Sequence, residues 1–242
     1  MSPDKFDRGT ELHFKSLFQK DMDFIIPRGW TMGDLKEENN PIPDKDSVLL
    51  FEGGTDVNPI LYGEKVGPYT HDPDTQRDDH ERSLFAAARR VGAACIGVCR
   101  GAQLLCVLNG GSLIQDVKGH NVYHDMLVPR RKGTHRILVS SSHHQLMNPY
   151  TLPPSEWVSY GISGPPGGHH YRDQDGVKFN PSDVWKTFQD QEIVWFPKTR
   201  SLAIQGHPEY FQSPNALFVL YCRYLVHHLI LKEQAPHDIP TT

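Results

Sequence analysis

Nothing in the 242 residues approaches the ~20 continuous apolar positions that a membrane-crossing helix needs, so no membrane partner is expected. Neither sign of charge dominates. Twenty-five basic residues stand against 29 acidic ones, a formal net charge of −4, which gives no support for a nucleic-acid or membrane-surface role. Cysteine is scarce: Cys95, Cys99, Cys106 and Cys222 are the whole set. The first three lie close together in an apolar strand–turn–helix pattern and lack the CxxC pairing of a zinc site, which suits reduced thiols rather than a disulfide framework. Residues 1–10 are charged and lack the apolar core of a secretory signal. With the thiols, this sets a cytoplasmic expectation. The chain also lacks repeats and low-complexity tracts; its glycines and prolines are dispersed and mark turns and sizeable loops.

What is present is enough for a substantial core: 38% of the residues are hydrophobic, and residues 1–242 are expected to form a single domain. Short apolar runs alternate with helical patterns. Residues 47–52 (SVLLFE) read as a buried strand ending at Gly53-Gly54. Residues 78–91 carry acidic residues first and then Leu84, Phe85, Ala88 and Val91 on one side, an amphipathic helix. Residues 93–98 (AACIGV) read as a second buried strand, and residues 100–108 as a helix stopped by Asn109-Gly110-Gly111. Strand, helix, strand with short joins predicts βαβ units. Further strands are expected at 136–140, 156–160, 192–196 and 201–205, the last two joined as a hairpin. The Gly-, Pro- and His-rich segment 161–180 reads as a loop or lid. A final helix is expected from Ser213-Pro214, with Leu217, Leu220, Tyr221, Tyr224, Leu225 and Leu229 as its buried stripe.

The most informative stretch is Gly97-Val98-Cys99-Arg100-Gly101. A nucleophile between a buried strand and a helix sits on a sharp turn, and flanking glycines avoid crowding there. The helix that follows favours negative charge at its N-terminus, and the Arg100 N–H is placed to bind an oxyanion. Alone, GxCxG equally fits a core cysteine at a tight join. Three other segments add to it. Gln205-Gly206-His207-Pro208-Glu209 closes the strand beginning SLAI; a histidine at a strand end, with a carboxylate two residues on, can act as an oriented base. The glycine N–H groups in Phe51-Glu52-Gly53-Gly54-Thr55-Asp56 can complete an oxyanion hole. Gln103 lies one helical turn after Cys99, on the same face.

GVCRGAQ, then LNGGSLIQDV, SSSHHQ and QGHPE, in this order, resemble the class I glutamine amidotransferase superfamily. Within it, FEGGTDVNPILYGE and Arg77-Asp78 with Glu81 resemble the γ-glutamyl hydrolase branch, which includes γ-glutamyl-γ-aminobutyrate hydrolases. The resemblance runs from Val48 to Glu209. It implies an α/β fold with a central, mostly parallel sheet flanked by helices on both faces, a flavodoxin-like three-layer sandwich. It implies a triad of Cys99, His207 and Glu209, and an oxyanion hole from Gly53, Gly54 and Arg100. It also implies substrate contacts from Gln103 and from the loop carrying Ser141, Ser142, His143 and His144. The chain departs from the pattern twice. Its first twenty residues are polar, leaving only residues 23–27 (DFIIP) for an opening strand. In place of an Asp-Gly-x-x-Glu-Ala motif it has Asp190-Gln191-Glu192-Ile193-Val194.

Other histidines have plainer readings. His120 and His124 share the i, i+4 spacing of metal ligands, but no firm helix carries them and no metal is expected. His143 and His144 read as a polar loop beside the site, and His169-His170 as solvated. His227-His228 fall at the end of the final helix, where a protonated ring complements the dipole. Cys95 and Cys106 read as core residues. Arg100 could meet an anionic substrate group or a surface carboxylate. The expected function is thiol-dependent hydrolysis of a small-molecule γ-glutamyl amide, glutamine or a γ-glutamyl amine, without a cofactor. The alternatives are a glutaminase subunit feeding ammonia to a separate synthetase or amidoligase, and a non-enzymatic binding module. The amine half of the substrate and the oligomeric state are not legible.

Overall fold

The computed structural model describes residues 24–25, 43–129, 133–164, 170–210 and 216–231. In chain order the strands are β1 (Phe24–Ile25), β2 (Val48–Phe51), β3 (Ala94–Val98), β4 (Ser112–Ile114), β5 (Asp116–Val117), β6 (His124–Pro129) and β7 (Thr134–Val139). They continue with β8 (Leu146–Asn148), β9 (Val158–Ser163), β10 (Tyr171–Arg172), β11 (Lys178–Phe179), β12 (Gln191–Phe196) and β13 (Ser201–Ile204). The α-helices are α1 (Thr75–Val91), α2 (Arg100–Leu108), the single turn α3 (Pro181–Val184) and α4 (Ala216–Leu225), which runs into a π-helical turn at Val226–Leu231.

Eight strands form the main sheet in the order β1-β2-β3-β13-β12-β9-β6-β7. The first four run parallel to one another, and every later pairing is antiparallel. The expected α/β class holds, with the parallel character confined to the half containing β1, β2, β3 and β13. Short joins such as the 3-10 turn Pro197–Thr199 between β12 and β13 can only reverse the chain, whereas β2 and β3 are separated by α1, long enough to cross over. The strand expected within residues 23–27 is β1, paired with Val48 and Leu49 of β2.

Every residue of β2, β3, β12 and β13 is buried, as a sheet covered on both faces requires. Alternation divides them between two cores. Leu49, Phe51, Cys95 and Ala203 pack with Leu84 and Phe85 of α1 and Leu104 and Leu105 of α2. Val48, Leu50, Ile96, Val98, Leu202 and Ile204 pack with Phe218, Tyr221, Cys222 and Leu225 of α4. Burying such aliphatic and aromatic side chains contributes about 1.5–3 kcal/mol each before conformational entropy is counted. Helix α1 starts three residues before the polar pattern suggested, because the Asp74 carboxylate accepts from the Arg77 N–H at 3.0 Å and caps it; Gly92 closes it at φ 78°.

Two expectations are corrected. The buried stripe of α4 is Phe218, Tyr221, Cys222 and Leu225, while Leu220 is 40% exposed; the helix is apolar nearly all round, so periodicity alone does not set its phase. Residues 213–214, read as its start, lie outside the described residues. The segment 161–180, expected to be a loop or lid, includes the end of β9 and the β10–β11 hairpin, which extends onto β5. His124, expected on no firm helix, opens β6.

Candidate active site

Three neighbouring parallel strands end at one edge of the sheet. Phe51 pairs with Gly97, and Val98 with Ile204, so the chain leaves β2, β3 and β13 side by side. The segments that follow are Glu52-Gly53-Gly54, Cys99-Arg100, and Gln205-Gly206-His207. Carboxyl ends of adjacent parallel strands are where open α/β sheets place their ligands.

Cys99 stands at the join of β3 and α2 with φ 52° and ψ −109°, a conformation that L side chains seldom adopt. Its N–H donates to the Ile204 carbonyl at 2.9 Å, and the Gln103 N–H donates back to the Cys99 carbonyl at 3.1 Å. Neither neighbouring glycine has room for a side chain. A Cβ on Gly97 would lie 2.4 Å from the Gly101 oxygen, and one on Gly101 would lie 2.0 Å from the Phe51 oxygen. The strained turn is thus held by packing on both sides.

His207 is fixed through both backbone and ring. Its N–H donates to the Ser140 carbonyl at 3.0 Å, and the Ser140 hydroxyl donates to the His207 carbonyl at 2.7 Å. Nδ1 lies 2.6 Å from Glu209 Oε1, Nε2 lies 2.8 Å from Ser142 Oγ, and Tyr210 stacks on the ring at 4.4 Å. Desolvation disfavours the imidazolium, but hydrogen bonds to Cys99 and Glu209 outweigh it and push His207 up to about 11. Gly53 borders both groups: a Cβ there would sit 3.5 Å from His207 Cε1 and 3.6 Å from Cys99 Cβ. Gly54, at φ 148°, needs the freedom that only glycine has.

Beneath this turn lies a buried ionic lattice. The Arg100 guanidinium, 1% exposed, pairs with the buried Asp78 and Glu81 of α1 rather than with a surface carboxylate. Arg77 Nε donates to Glu81 Oε1 at 2.9 Å, while its Nη2 donates to the carbonyls of Glu52 at 3.0 Å and Gly53 at 3.1 Å. In a trans peptide the N–H points opposite to the carbonyl, so Arg77 turns the Gly53 and Gly54 N–H groups away from itself. In the sequence Arg77, Asp78 and Glu81 stand out only through the family resemblance; the i, i+4 spacing of Arg77 and Glu81 is the one local signal of their pairing.

The residues expected to meet substrate part company. Gln103 is buried, and its Nε2 donates to the Gln145 carbonyl at 2.9 Å, holding the loop at 141–145. Ser142 faces His207. His143 points the other way and is 4% exposed; burial and the neighbouring His120 push it down to about 3, so it is neutral. His144 lies 3.2 Å from Asp56 Oδ1, and its ring sits 4.4 Å from that of His71, tilted by 30°. Alternate residues of the loop thus face opposite sides.

The Peptidase C26 family profile matches residues 35–151. A glutamine amidotransferase-like protein, YvdE homolog, of Lactococcus lactis subsp. cremoris is 35% identical over 132 residues, covering 46% of this chain and 70% of the relative. Its namesake in Lactococcus lactis subsp. lactis is 33% identical over 117 residues, covering 41% of this chain and only 50% of that protein. A solved glutamine amidotransferase from Methylobacillus flagellatus shares 14% identity, with a TM-score of 0.42 over 83% of this chain and 73% of its own. The chain belongs to the class I glutamine amidotransferase superfamily. Among the described residues, no helix is long and apolar enough to cross a membrane.

Proposed function

We propose that the chain hydrolyses a γ-glutamyl amide, glutamine or a γ-glutamyl amine, through a glutamyl thioester on Cys99. The observation that carries this reading is the imidazole of His207, joined to Glu209 on its Nδ1 side and bordering the same Gly53 turn as Cys99, which stands at the end of the adjacent strand. The Cys99 sulfur attacks the γ-carbonyl carbon and the π electrons move onto oxygen. N–H groups of Gly53, Gly54 and Arg100 receive that oxyanion. His207 gives its proton to the departing nitrogen as the C–N bond breaks, Glu209 balancing the imidazolium charge until then. Water, surrendering a proton to the same imidazole, then cleaves the C–S bond and releases glutamate. Ser142 and Gln103 act in this scheme by keeping the ring and the 141–145 loop in place.

The test is glutamate release from glutamine, γ-glutamyl polyamines, γ-glutamyl-γ-aminobutyrate and poly-γ-glutamate. Cys99→Ala should abolish turnover of whichever is accepted, by at least about 10⁴-fold, with the circular dichroism spectrum unchanged. Undiminished turnover by that variant removes the mechanism.

A further inference from the structure

Behind the Ser142–His207 contact lies a second set of polar side chains that hydrolysis does not use. The His143 Nδ1–H donates to the Gln145 carbonyl at 2.8 Å, which fixes the tautomer and leaves Nε2 as a bare lone pair. That Nε2 is buried and has no hydrogen-bond partner among the described residues; neither has Glu192 Oε2, on a side chain 1% exposed. His120, fully buried, lies between them: its Nε2 is 2.9 Å from Asp190 Oδ2 and its Nδ1 is 3.4 Å from Glu192 Oε1. One ligand atom from each of His120, His143 and Glu192 falls within 4.8 Å of the others.

We propose that His120 Nδ1, His143 Nε2 and the Glu192 carboxylate form a binding site for a divalent, zinc-type metal ion. Two imidazoles and a carboxylate are a donor set that such ions favour. Each ligand already has an outer partner: Asp190 on His120, the Gln145 carbonyl on His143, and His124 Nε2, 2.7 Å away, on Glu192 Oε1. Outer partners of this kind fix the tautomer and aim the lone pair. Two buried carboxylates, Glu192 and Asp190, offset the two positive charges of the ion, which takes the place of the proton that their hydrogen bonds favour on His120. The ion also satisfies the two orphaned acceptors. Ligands of a tetrahedral zinc lie about 3.4 Å apart, so modest side-chain rotations close the site. Asp190, the outer partner of His120, also lines a surface cavity of about 230 Å³ with Tyr171 and Phe188.

The ion would be structural. It would tie β12, the segment ahead of β6, and the 141–145 loop to one point, next to the serine that touches His207. The spacing of His120 and His124 in sequence suggested a different pair; His143 and Glu192 come from far along the chain. A second group, Asp56, His71 and His144, also falls within ligand distance, but His71 is exposed and the group has no orphaned buried lone pair among the described residues.

The test uses the full chain carrying Cys99→Ser, which removes the active-site thiol as a competing ligand. It is stripped with a chelator, dialysed against Zn²⁺ or Co²⁺, desalted, and assayed by plasma mass spectrometry and visible absorption. The expected result is one retained equivalent, a Co²⁺ spectrum with intense four-coordinate ligand-field bands, and a Tm that rises when the stripped protein is reloaded. His143→Gln and Glu192→Gln should each weaken retention by at least about tenfold, and His71→Asn should not. Failure of folded Cys99→Ser protein to retain any ion overturns the proposal, whatever the ligand variants do; the orphaned groups then hold water. So does retention that depends on His71 and not on His143.

Discussion

Gly101→Ala isolates the geometry of the site from its chemistry. The methyl would meet the Phe51 carbonyl oxygen at 2.0 Å, the Phe51 carbonyl carbon at 2.5 Å and its Cβ at 2.9 Å. Real Cβ atoms essentially never come closer than 3.0 Å, so the start of α2 and the end of β2 must separate by about 1 Å. Those two segments carry the Arg100 N–H and the Gly53-Gly54 turn, the two sides of the proposed oxyanion hole. A 1 Å misplacement of that kind costs roughly 10²-fold in rate, about 2.7 kcal/mol of transition-state stabilisation.

Stability should suffer less. Overpacking costs about 1–3 kcal/mol, and alanine in place of glycine inside a helix returns nearly 1 kcal/mol. A chain of this length loses about 2–4 °C of Tm per kcal/mol, so the melting point should drop by under ~10 °C. Gly53→Ala is the companion: its methyl makes only ordinary contacts with His207 and Cys99, so Tm should stay near that of the parent. Glutamate release is measured at saturating substrate alongside thermal melts, with alkylation of Cys99 confirming that the thiol remains accessible. Parental turnover by a folded Gly101→Ala protein would refute the claim that catalysis needs these two segments in register.

Asp78→Ala leaves the Arg100 guanidinium, 1% exposed, short of one carboxylate and strips the Asn58 N–H of its 2.8 Å acceptor. Breaking a buried pair costs about 3–5 kcal/mol, so Tm should fall by about 6–20 °C in calorimetry. His207 is held above its ordinary value, so its bonus to stability is whole below about pH 6.5 and is lost as pH climbs toward about 11. NMR of labelled histidine should show no His207 titration through neutral pH in the parent and a lower midpoint in Cys99→Ser and in Glu209→Gln; titration near the ordinary value in the parent counts against the Cys99–His207–Glu209 linkage. Gln103→Leu should cost about 1 kcal/mol by removing its bond to the Gln145 carbonyl. Its kinetic defect should be equal for glutamine and for bulkier γ-glutamyl amines; a defect confined to KM for glutamine at unchanged Tm would mark a direct substrate contact instead.

The ends of β2, β3 and β13 were legible because each carries its own punctuation: Gly53-Gly54, the glycines around Cys99, and Gly206 before His207. Such signals are local, and α2 was read to its terminal residues from them. Strands β6, β10 and β11 were not legible, since they are short or polar and gain their stability from partners far along the chain; Arg172, for instance, sits opposite Asp116. The same limit hid the partners of Arg100, which lie 19 and 22 residues upstream on another helix. In SSSHHQ the residue types were plain but the direction of each was not. An extended loop faces alternate ways, so Ser142 meets the imidazole of His207 while His143, one residue on, is committed to the opposite side.

The buried ionic lattice has a physical logic in the proposed oxyanion turn. Four charged side chains, Arg77, Asp78, Glu81 and Arg100, lie almost wholly out of water, and desolvation makes such sets poor sources of net stability compared with apolar residues of the same volume. What apolar residues could not do is grip a peptide. Arg77 reaches two successive carbonyls with a single nitrogen while Glu81 holds it from the other side, and Glu81 is in turn tied to Arg100, the residue after the nucleophile. One continuous set of charge-assisted bonds therefore runs from the glycine turn to the start of α2, so the two sides of the proposed oxyanion hole are fixed relative to each other before any substrate arrives. Preorganisation of this kind is where electrostatic catalysis draws its advantage over water.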